Sequence, residues 1–235
     1  MLVKKWVSNP KTFNYIGNDI PDLLTETING KRHYVTSEGY KYPSVTTVLD
    51  AFKDKSGLIE WRKRVGDAEA NKISGRATRR GTAMHNMCEK YVLNESFDLS
   101  SEMPMNVYMF NQMKTALDAR VNNVHCVESA LVSHKLKVAG RVDLIAEWDG
   151  KLAVIDYKTS GKKKPKEWIN DYFEQTSLYA YMYWEMTGIM IKKIVIMIAV
   201  EEETEPQIFI ESPGNYIQGV SDNIKKYHDY FKNNA

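Results

Sequence analysis

Two runs of apolar residues with strand composition flank the pair Asp149-Gly150, within the segment GRVDLIAEWDGKLAVIDYKTS at residues 140–160. Asp-Gly between two such runs predicts a β-hairpin, because a type I′ turn requires positive φ at both central positions. If the turn consists of these two residues, Asp143 lies directly opposite Asp156 on the neighbouring strand. Both faces of this hairpin carry apolar residues, so the sheet requires a packed layer on each side.

The hydrophobic pattern also assigns elements to the rest of the chain. Residues 1–30 lack periodicity and are predicted to form an extended or loop-rich arm, and residues 31–42 predict a short hairpin with TSEG as its turn. A helix is predicted to begin after Pro43-Ser44, because serine is a favourable N-cap. Further helices are predicted over 58–65, 76–93, 105–121, 168–186 and 215–231, and further strands over 129–139, 191–200 and 207–211.

This order of elements predicts one α/β domain covering residues 1–235. Residues 31–125 are expected to be mainly helical, and residues 126–235 to form an αβ catalytic core. The chain has 235 residues, of which 43% are apolar, and this is enough to bury a substantial core.

Charge and cysteine content exclude several classes of protein. The formal net charge is only +2, so any basic surface must be regional. Cys88 and Cys126 lack CxxC spacing, which argues against a disulfide framework, a zinc ribbon or an iron-sulfur cluster and favours a reducing compartment. The longest apolar run, Ile194–Val200, is too short to cross a bilayer, and the N-terminal residues lack a signal-peptide core. We therefore expect a cytoplasmic protein without a membrane partner.

The central hairpin carries the candidate chemistry. Two carboxylates directly opposite one another on a sheet repel, and their Cβ atoms would be only about 4.5 to 5.5 Å apart. Lys158 is two residues after Asp156 and projects from the same face of its strand. A divalent cation held by Asp143 and Asp156, with the Lys158 ammonium beside it, is the simplest reason for this arrangement.

Four short motifs resemble those of the PD-(D/E)xK nuclease superfamily, in its RecB-like branch. They are GTAMH at 81–85, GRVD at 140–143, DYK at 156–158 and the pair Gln175 and Tyr179. The segment RHYVTSEGYKYPSVTTVL also looks like the N-terminal signature of the mitochondrial genome maintenance exonuclease group and its bacteriophage relatives. The resemblance covers about residues 31–200 and implies a restriction-endonuclease-like core, a mixed central sheet flanked by helices, with an N-terminal helical elaboration.

The resemblance also implies a set of site residues and a Mg²⁺ or Mn²⁺ cofactor. Catalytic roles fall to Asp143, Asp156 and Lys158. The implied metal ligands are His85, Asp143, Asp156 and the carbonyl of Tyr157. The implied DNA contacts are Gln175, Tyr179, Arg79, Arg80, Lys162 and Lys163.

Some of these residues also have simpler interpretations. His85 could be an ordinary histidine of a Met-rich helix or a metal or phosphate contact, and Gln175 and Tyr179 could be helix packing. The lysines of the 162–166 segment could form a solvated loop. We assign structural roles to Glu128 and His134, although a two-residue turn at 138–139 would place His134 beside Asp143. The acidic run Glu201–Glu203 is expected to be solvated.

The resulting functional hypothesis is metal-dependent hydrolysis of a DNA phosphodiester, by an exonuclease acting on single-stranded DNA. A structure-selective endonuclease or junction resolvase on the same fold is an alternative, since the metal site does not determine whether a free end is required. A non-catalytic nucleic-acid-binding module is an alternative of a different class. A bacteriophage origin would place the enzyme in the host cytoplasm.

Overall fold

A computed structural model describes residues 11–17 and 20–233 of the chain. The strands within these residues form two sheets, one of three strands in the order β1-β2-β3 and one of five strands in the order β4-β5-β6-β7-β8. The strands are β1 (Leu24–Ile28), β2 (Lys31–Val35), β3 (Lys41–Pro43), β4 (Val121–Ser133), β5 (Val138–Trp148), β6 (Lys151–Ser160), β7 (Lys193–Val200) and β8 (Gln207–Glu211). The helices are α1 (Val45–Asp50), α2 (Ser56–Val65), α3 (Asp67–Val92), α4 (Pro104–Arg120), α5 (Asn170–Thr187) and α6 (Ile217–Asn233).

The five-stranded sheet is mixed and is covered on both faces. Strands β4, β5 and β6 are antiparallel, β6 and β7 are parallel across the α5 connection, and β8 is antiparallel to β7. One apolar cluster packs α1, α5 and α6 against one face, and a second packs α3 and α4 against the other. The predicted fold class, a mixed central sheet flanked by helices, is confirmed.

The central hairpin has the predicted register. Its backbone pairs run from Trp148 opposite Lys151 to Leu144 opposite Ile155, and both turn residues, Asp149 (φ 50°) and Gly150 (φ 70°), have positive φ. Beyond Leu144 the backbone pairing stops, so the predicted pair of Asp143 with Asp156 does not form, and the Asp143 side chain instead accepts the N–H of Tyr157 at 2.7 Å. The two strands therefore separate at the residues that carry the candidate chemistry. We call this point the strand fork.

The preceding turn differs from the expectation. Ser133 pairs with Val138, so the chain reverses over residues 134–137, where Lys137 has φ 53°. The predicted strand over 129–139 is therefore wrong in its second half, and so is the register that would bring His134 to Asp143. The His134 ring instead shares a hydrogen bond with the Tyr42 hydroxyl, Nδ1 to oxygen 3.1 Å.

The N-terminal part contains more strand than the hydrophobic pattern predicts. The hairpin over 31–42 is confirmed, but β1 pairs with β2 on its other side, through a turn at Asn29-Gly30 with φ 50° and 73°. The arm predicted to be extended or loop-rich over 1–30 includes a paired strand at Leu24–Ile28, whereas residues 1–10, 18 and 19 lie outside the described residues. Asn-Gly is a strong hairpin signal, but the pattern of apolar residues alone does not reveal it.

Of the described helices, none is both long and apolar enough to cross a membrane.

Candidate active site

Side chains from both layers of the domain meet at the strand fork. Asp143 and Asp156 come from β5 and β6, and His85 reaches the fork from α3. His85 Nδ1 lies 3.5 Å from Asp143 Oδ1, and the imidazole packs edge-on against the Tyr157 ring with centroids 5.8 Å apart. The structure thus brings the predicted residues of three separate motifs to one point.

Asp156 is the most deeply buried carboxylate of the site, with 1% exposure. Its Oδ1 has no hydrogen-bond partner among the described residues, and Oδ2 has only the ion-pair contact with the Lys158 ammonium. Burial chiefly, and the charge of Asp143 in addition, raise the pKa of Asp156 to about 6, although Lys158 opposes the rise. A buried carboxylate whose oxygens lack hydrogen-bond partners fits the role of a cation ligand.

The remaining charges stabilise one another. Burial alone lowers the pKa of His85, but the charge and hydrogen bonds of Asp143 and Glu128 outweigh it and raise the pKa to about 10. Burial alone likewise raises the pKa of Asp143, whereas His85, Lys158 and the Tyr157 N–H together hold it below its usual value. The pKa of Lys158 is raised, because Asp156 and Asp143 outweigh the effect of burial. Without a bound cation, the imidazole and the ammonium therefore both carry charge at neutral pH.

Glu128 belongs to the site, and the purely structural role predicted for it is not supported. Its Oε1 lies 3.9 Å from His85 Nδ1, and one ligand atom each from His85, Glu128 and Asp143 fit within 4.8 Å of one another. The backbone of Glu128 is left-handed (φ 44°), an uncommon conformation for a residue with a Cβ, and its carbonyl accepts a hydrogen bond from Arg141. Glu128 lies opposite Asp143 because of the register between β4 and β5. This register could not be predicted from the sequence.

The predicted pair on α5 is arranged to orient one side chain. The Gln175 amide donates to the Tyr179 hydroxyl at 3.1 Å. Tyr179 is 3% exposed and packs so closely on Gly140 that a Cβ there would lie 2.8 Å from its ring. The Tyr179 hydroxyl therefore holds the Gln175 amide, and the DNA contacts predicted for Gln175 and Tyr179 stay predictions.

The basic side chains predicted to contact DNA differ in exposure and in ion pairing. Arg79 and Lys162 are exposed. Arg80 forms an ion pair with Glu201, and its side chain is 12% exposed. Lys163 lies 3.0 Å from a carboxylate oxygen of Glu203.

The acidic run is therefore not simply solvated, as had been expected. Glu201 and Glu203 each form an ion pair with a predicted DNA contact, whereas Glu202 is exposed and forms none within the described part of the chain. The DNA contacts predicted for Arg79, Arg80, Lys162 and Lys163 stay predictions.

The donor set fits a hard divalent cation. Carboxylate oxygens are the ligands that Mg²⁺ and Mn²⁺ prefer, and an imidazole is compatible with Mn²⁺. The unsatisfied oxygen of Asp156 supplies the structural reason to expect a cation. The ligand role predicted for the Tyr157 carbonyl stays a prediction.

Three comparisons place the chain among known proteins. Mitochondrial genome maintenance exonuclease 1 of Mus musculus is 30% identical over 148 residues, covering 60% of this chain and 43% of the relative. The Homo sapiens protein of the same name is 28% identical over 150 residues, covering 60% and 42%. The chain thus spans less than half the length of these relatives. The crystal structure of SSO0001 aligns with 77% of this chain and 74% of its own, at 14% identity and a TM-score of 0.39.

A family model described as the PD-(D/E)XK nuclease superfamily matches residues 60–207. These residues include α3 with His85, both strands of the fork and α5 with Gln175. Because the match extends over more than half of the sequence and contains the whole candidate site, the chain belongs to the PD-(D/E)XK nuclease superfamily.

Proposed function

We propose that the protein is a metal-dependent exonuclease that hydrolyses phosphodiester bonds of single-stranded DNA. The observation that carries the proposal is the buried Asp156 carboxylate, with an unsatisfied oxygen, between Asp143 and the Lys158 ammonium. Structural stability alone gives no reason to bury two acids and a lysine at a point where a sheet separates.

Each residue at the fork has a role in this proposal. Asp143 and Asp156 hold Mg²⁺ or Mn²⁺, with Glu128, His85 and the Tyr157 carbonyl as further ligands. When bound, the cation polarises the phosphate and lowers the pKa of a coordinated water. Asp143 has a second task, because its other oxygen binds the Tyr157 N–H and fixes the carboxylate at the fork.

Lys158 acts as a fixed positive charge. Its raised pKa keeps the ammonium protonated at neutral pH, so it is unsuited to remove a proton from water. Its side chain retains 20% exposure, so one side of the group still faces the open part of the site. There the ammonium stabilises the charge that develops on the phosphate and helps to orient the attacking water.

The exposed helical arm favours an unpaired strand as the substrate. This arm, residues 56–80, consists of α2 and the first half of α3 and connects α1 on one face of the sheet with the part of α3 on the other face. No residue of α2 is buried, and Leu58 and Ile59 are 52% and 51% exposed on the same helix as the exposed cations Lys63 and Arg64. Apolar groups that contact bases, with cations that contact phosphates, are typical of single-strand binding. The exonuclease relatives support the free-end requirement.

The test is cleavage of end-labelled linear and circular single-stranded DNA with Mg²⁺. The unaltered protein is compared with Lys158→Ala and with Lys151→Ala, which removes an exposed lysine at the other end of the same strand. We expect degradation of the linear strand alone, lost in Lys158→Ala and retained in Lys151→Ala. Cleavage of the circle would replace the exonuclease with the endonuclease alternative. If neither substrate is cut in a Lys158-dependent way, with Mn²⁺ also tried, the proposal is wrong.

A further inference from the structure

An exposed tryptophan comes just before α5 in the chain and takes no part in the chemistry described above. Trp168 is 71% exposed and ends a short 3-10 turn, Lys166–Trp168, between the lysine-rich loop and α5. Tyr172 follows four residues later, and its ring centroid lies 5.0 Å from Lys158 Nζ. Trp168 thus lies four positions before the ring that contacts the cation that we propose faces the phosphate.

The backbone around Trp168 is held on both sides. Lys164 donates its N–H to the Gln207 side chain at 2.7 Å, and the Gln207 amide donates back to the Lys164 carbonyl at 3.1 Å. The Trp168 N–H donates to the Pro165 carbonyl at 3.1 Å, and the next residue, Ile169, is fully buried. An aromatic side chain on a fixed backbone loses little conformational entropy when a ligand stacks on it.

Trp168 forms part of the wall of a cavity of about 290 Å³, and Phe52 lines the same cavity. The carboxylates of Glu167, Asp171 and Glu174 also line it, and of these only Asp171 forms an ion pair within the described residues, with Lys53. These negative charges exclude a phosphate from the cavity. A neutral planar ring with hydrogen-bonding edges fits both the aromatic walls and the polar lining.

We propose that Trp168 and this cavity form a binding site for one unpaired nucleobase of the DNA strand, an inference that rests on the proposed function. The base stacks on the indole, and its edge contacts the amide of Asn223, which also lines the cavity, whereas the Asn170 amide donates to Glu174 Oε1 at 2.8 Å. Carboxylates accept hydrogen bonds from exocyclic amino groups, so Glu174 is compatible with the same ligand. The phosphates of the DNA strand lie outside the cavity, along the exposed Lys162.

The experiment measures the affinity of the whole protein for a short labelled single strand, in EDTA to prevent cleavage. The variants are Trp168→Ala and, as a matched control, Trp184→Ala, which removes a tryptophan of 36% exposure near the end of α5. Base stacking on an aromatic side chain corresponds to a loss of about 5- to 150-fold in affinity on removal. We expect this loss for Trp168→Ala and an unchanged affinity for Trp184→Ala.

Strands with one abasic nucleotide at successive positions separate stacking from a general effect on the loop. One abasic position is expected to weaken binding to the unaltered protein by the same factor and to have no further effect on Trp168→Ala. If an abasic nucleotide weakens binding equally at every position, in the unaltered protein and in Trp168→Ala, the nucleobase site is wrong and the proposed function stands. The same conclusion follows if Trp168→Ala and Trp184→Ala bind with equal affinity while the strand is still cut. If the unaltered protein neither binds nor cuts a single strand, the proposed function fails and the site fails with it.

Discussion

Cation binding should release a proton from His85, and this release distinguishes a metal ligand from a phosphate contact. In the absence of a cation the pKa of His85 is raised to about 10 by Asp143 and Glu128, against the effect of burial. At pH 8 the imidazole is thus protonated, and it must lose its proton before it can coordinate a metal. Each pH unit below the pKa corresponds to 1.36 kcal/mol, so displacement of the proton costs about 3 kcal/mol at pH 8.

Two consequences are measurable by titration calorimetry with Mn²⁺. The apparent affinity should rise about tenfold for each pH unit between about pH 7 and pH 9, because the competing proton becomes easier to remove. At pH 8, the heats in two buffers of different ionisation enthalpy should report about one proton released for each cation bound. Asp156, with a pKa of about 6, is already ionised at this pH and contributes little.

The control is His85→Gln, which keeps a polar side chain of similar size and removes the titrating group. We expect the variant to bind Mn²⁺ without proton release and with a flat pH profile between the same limits. If the unaltered protein also binds Mn²⁺ without releasing a proton, the imidazole stays charged in the complex. The assignment of His85 as a ligand would then be wrong, and a phosphate contact would replace it.

Three further substitutions test the packing and the charges around the site. Gly140→Ala should lower the free energy of unfolding, measured by urea denaturation, by about 1 to 3 kcal/mol, because the new Cβ would lie 2.8 Å from the Tyr179 ring. The control Gly57→Ala adds a Cβ in open space on a helix and should not lower the free energy of unfolding. Glu128→Gly should weaken Mn²⁺ binding. The free energy of unfolding should stay the same or rise by up to about 1 kcal/mol, because glycine adopts the left-handed backbone of this position without strain. A clear loss of stability would contradict the interpretation of Glu128 as a strained ligand. Glu203→Gln should bind single-stranded DNA up to about fivefold more tightly than Glu202→Gln does, because of these two residues only Glu203 forms an ion pair with a lysine. An equal rise in affinity in both variants would show that net charge alone is responsible.

The parts of the fold that local pattern determines were predictable. Asp149-Gly150 fixes a two-residue turn, and this turn alone sets the register that brings Asp143 towards Asp156. The continuous run of β-branched and other apolar residues identified β7, and the serine N-cap identified the start of α1, where Ser44 Oγ accepts the Thr47 N–H at 3.1 Å. These features depend on residues close together in the sequence.

The features that were missed depend on contacts between distant segments. Glu128 joins the site through the β4–β5 register, and that register depends on a four-residue turn with no Gly or Pro to mark it. Arg80 and Glu201 form an ion pair although 120 residues separate them in the sequence, so composition suggested a solvated acid and a cation open to DNA. Whether a charged side chain is available to a ligand is a tertiary property.

The strand fork also affects how occupancy of the site spreads through the domain. His85 reaches the fork from the α3 layer, and Lys158 reaches it from the face covered by α5. A cation and phosphate held there would join two layers that otherwise pack on opposite sides of the sheet. Amide hydrogen exchange should therefore slow in α3 and in α5 together when both ligands are present, as expected of one cooperative unit. Binding to a few side chains at the fork would thus stabilise the two helical layers on opposite faces of the sheet together.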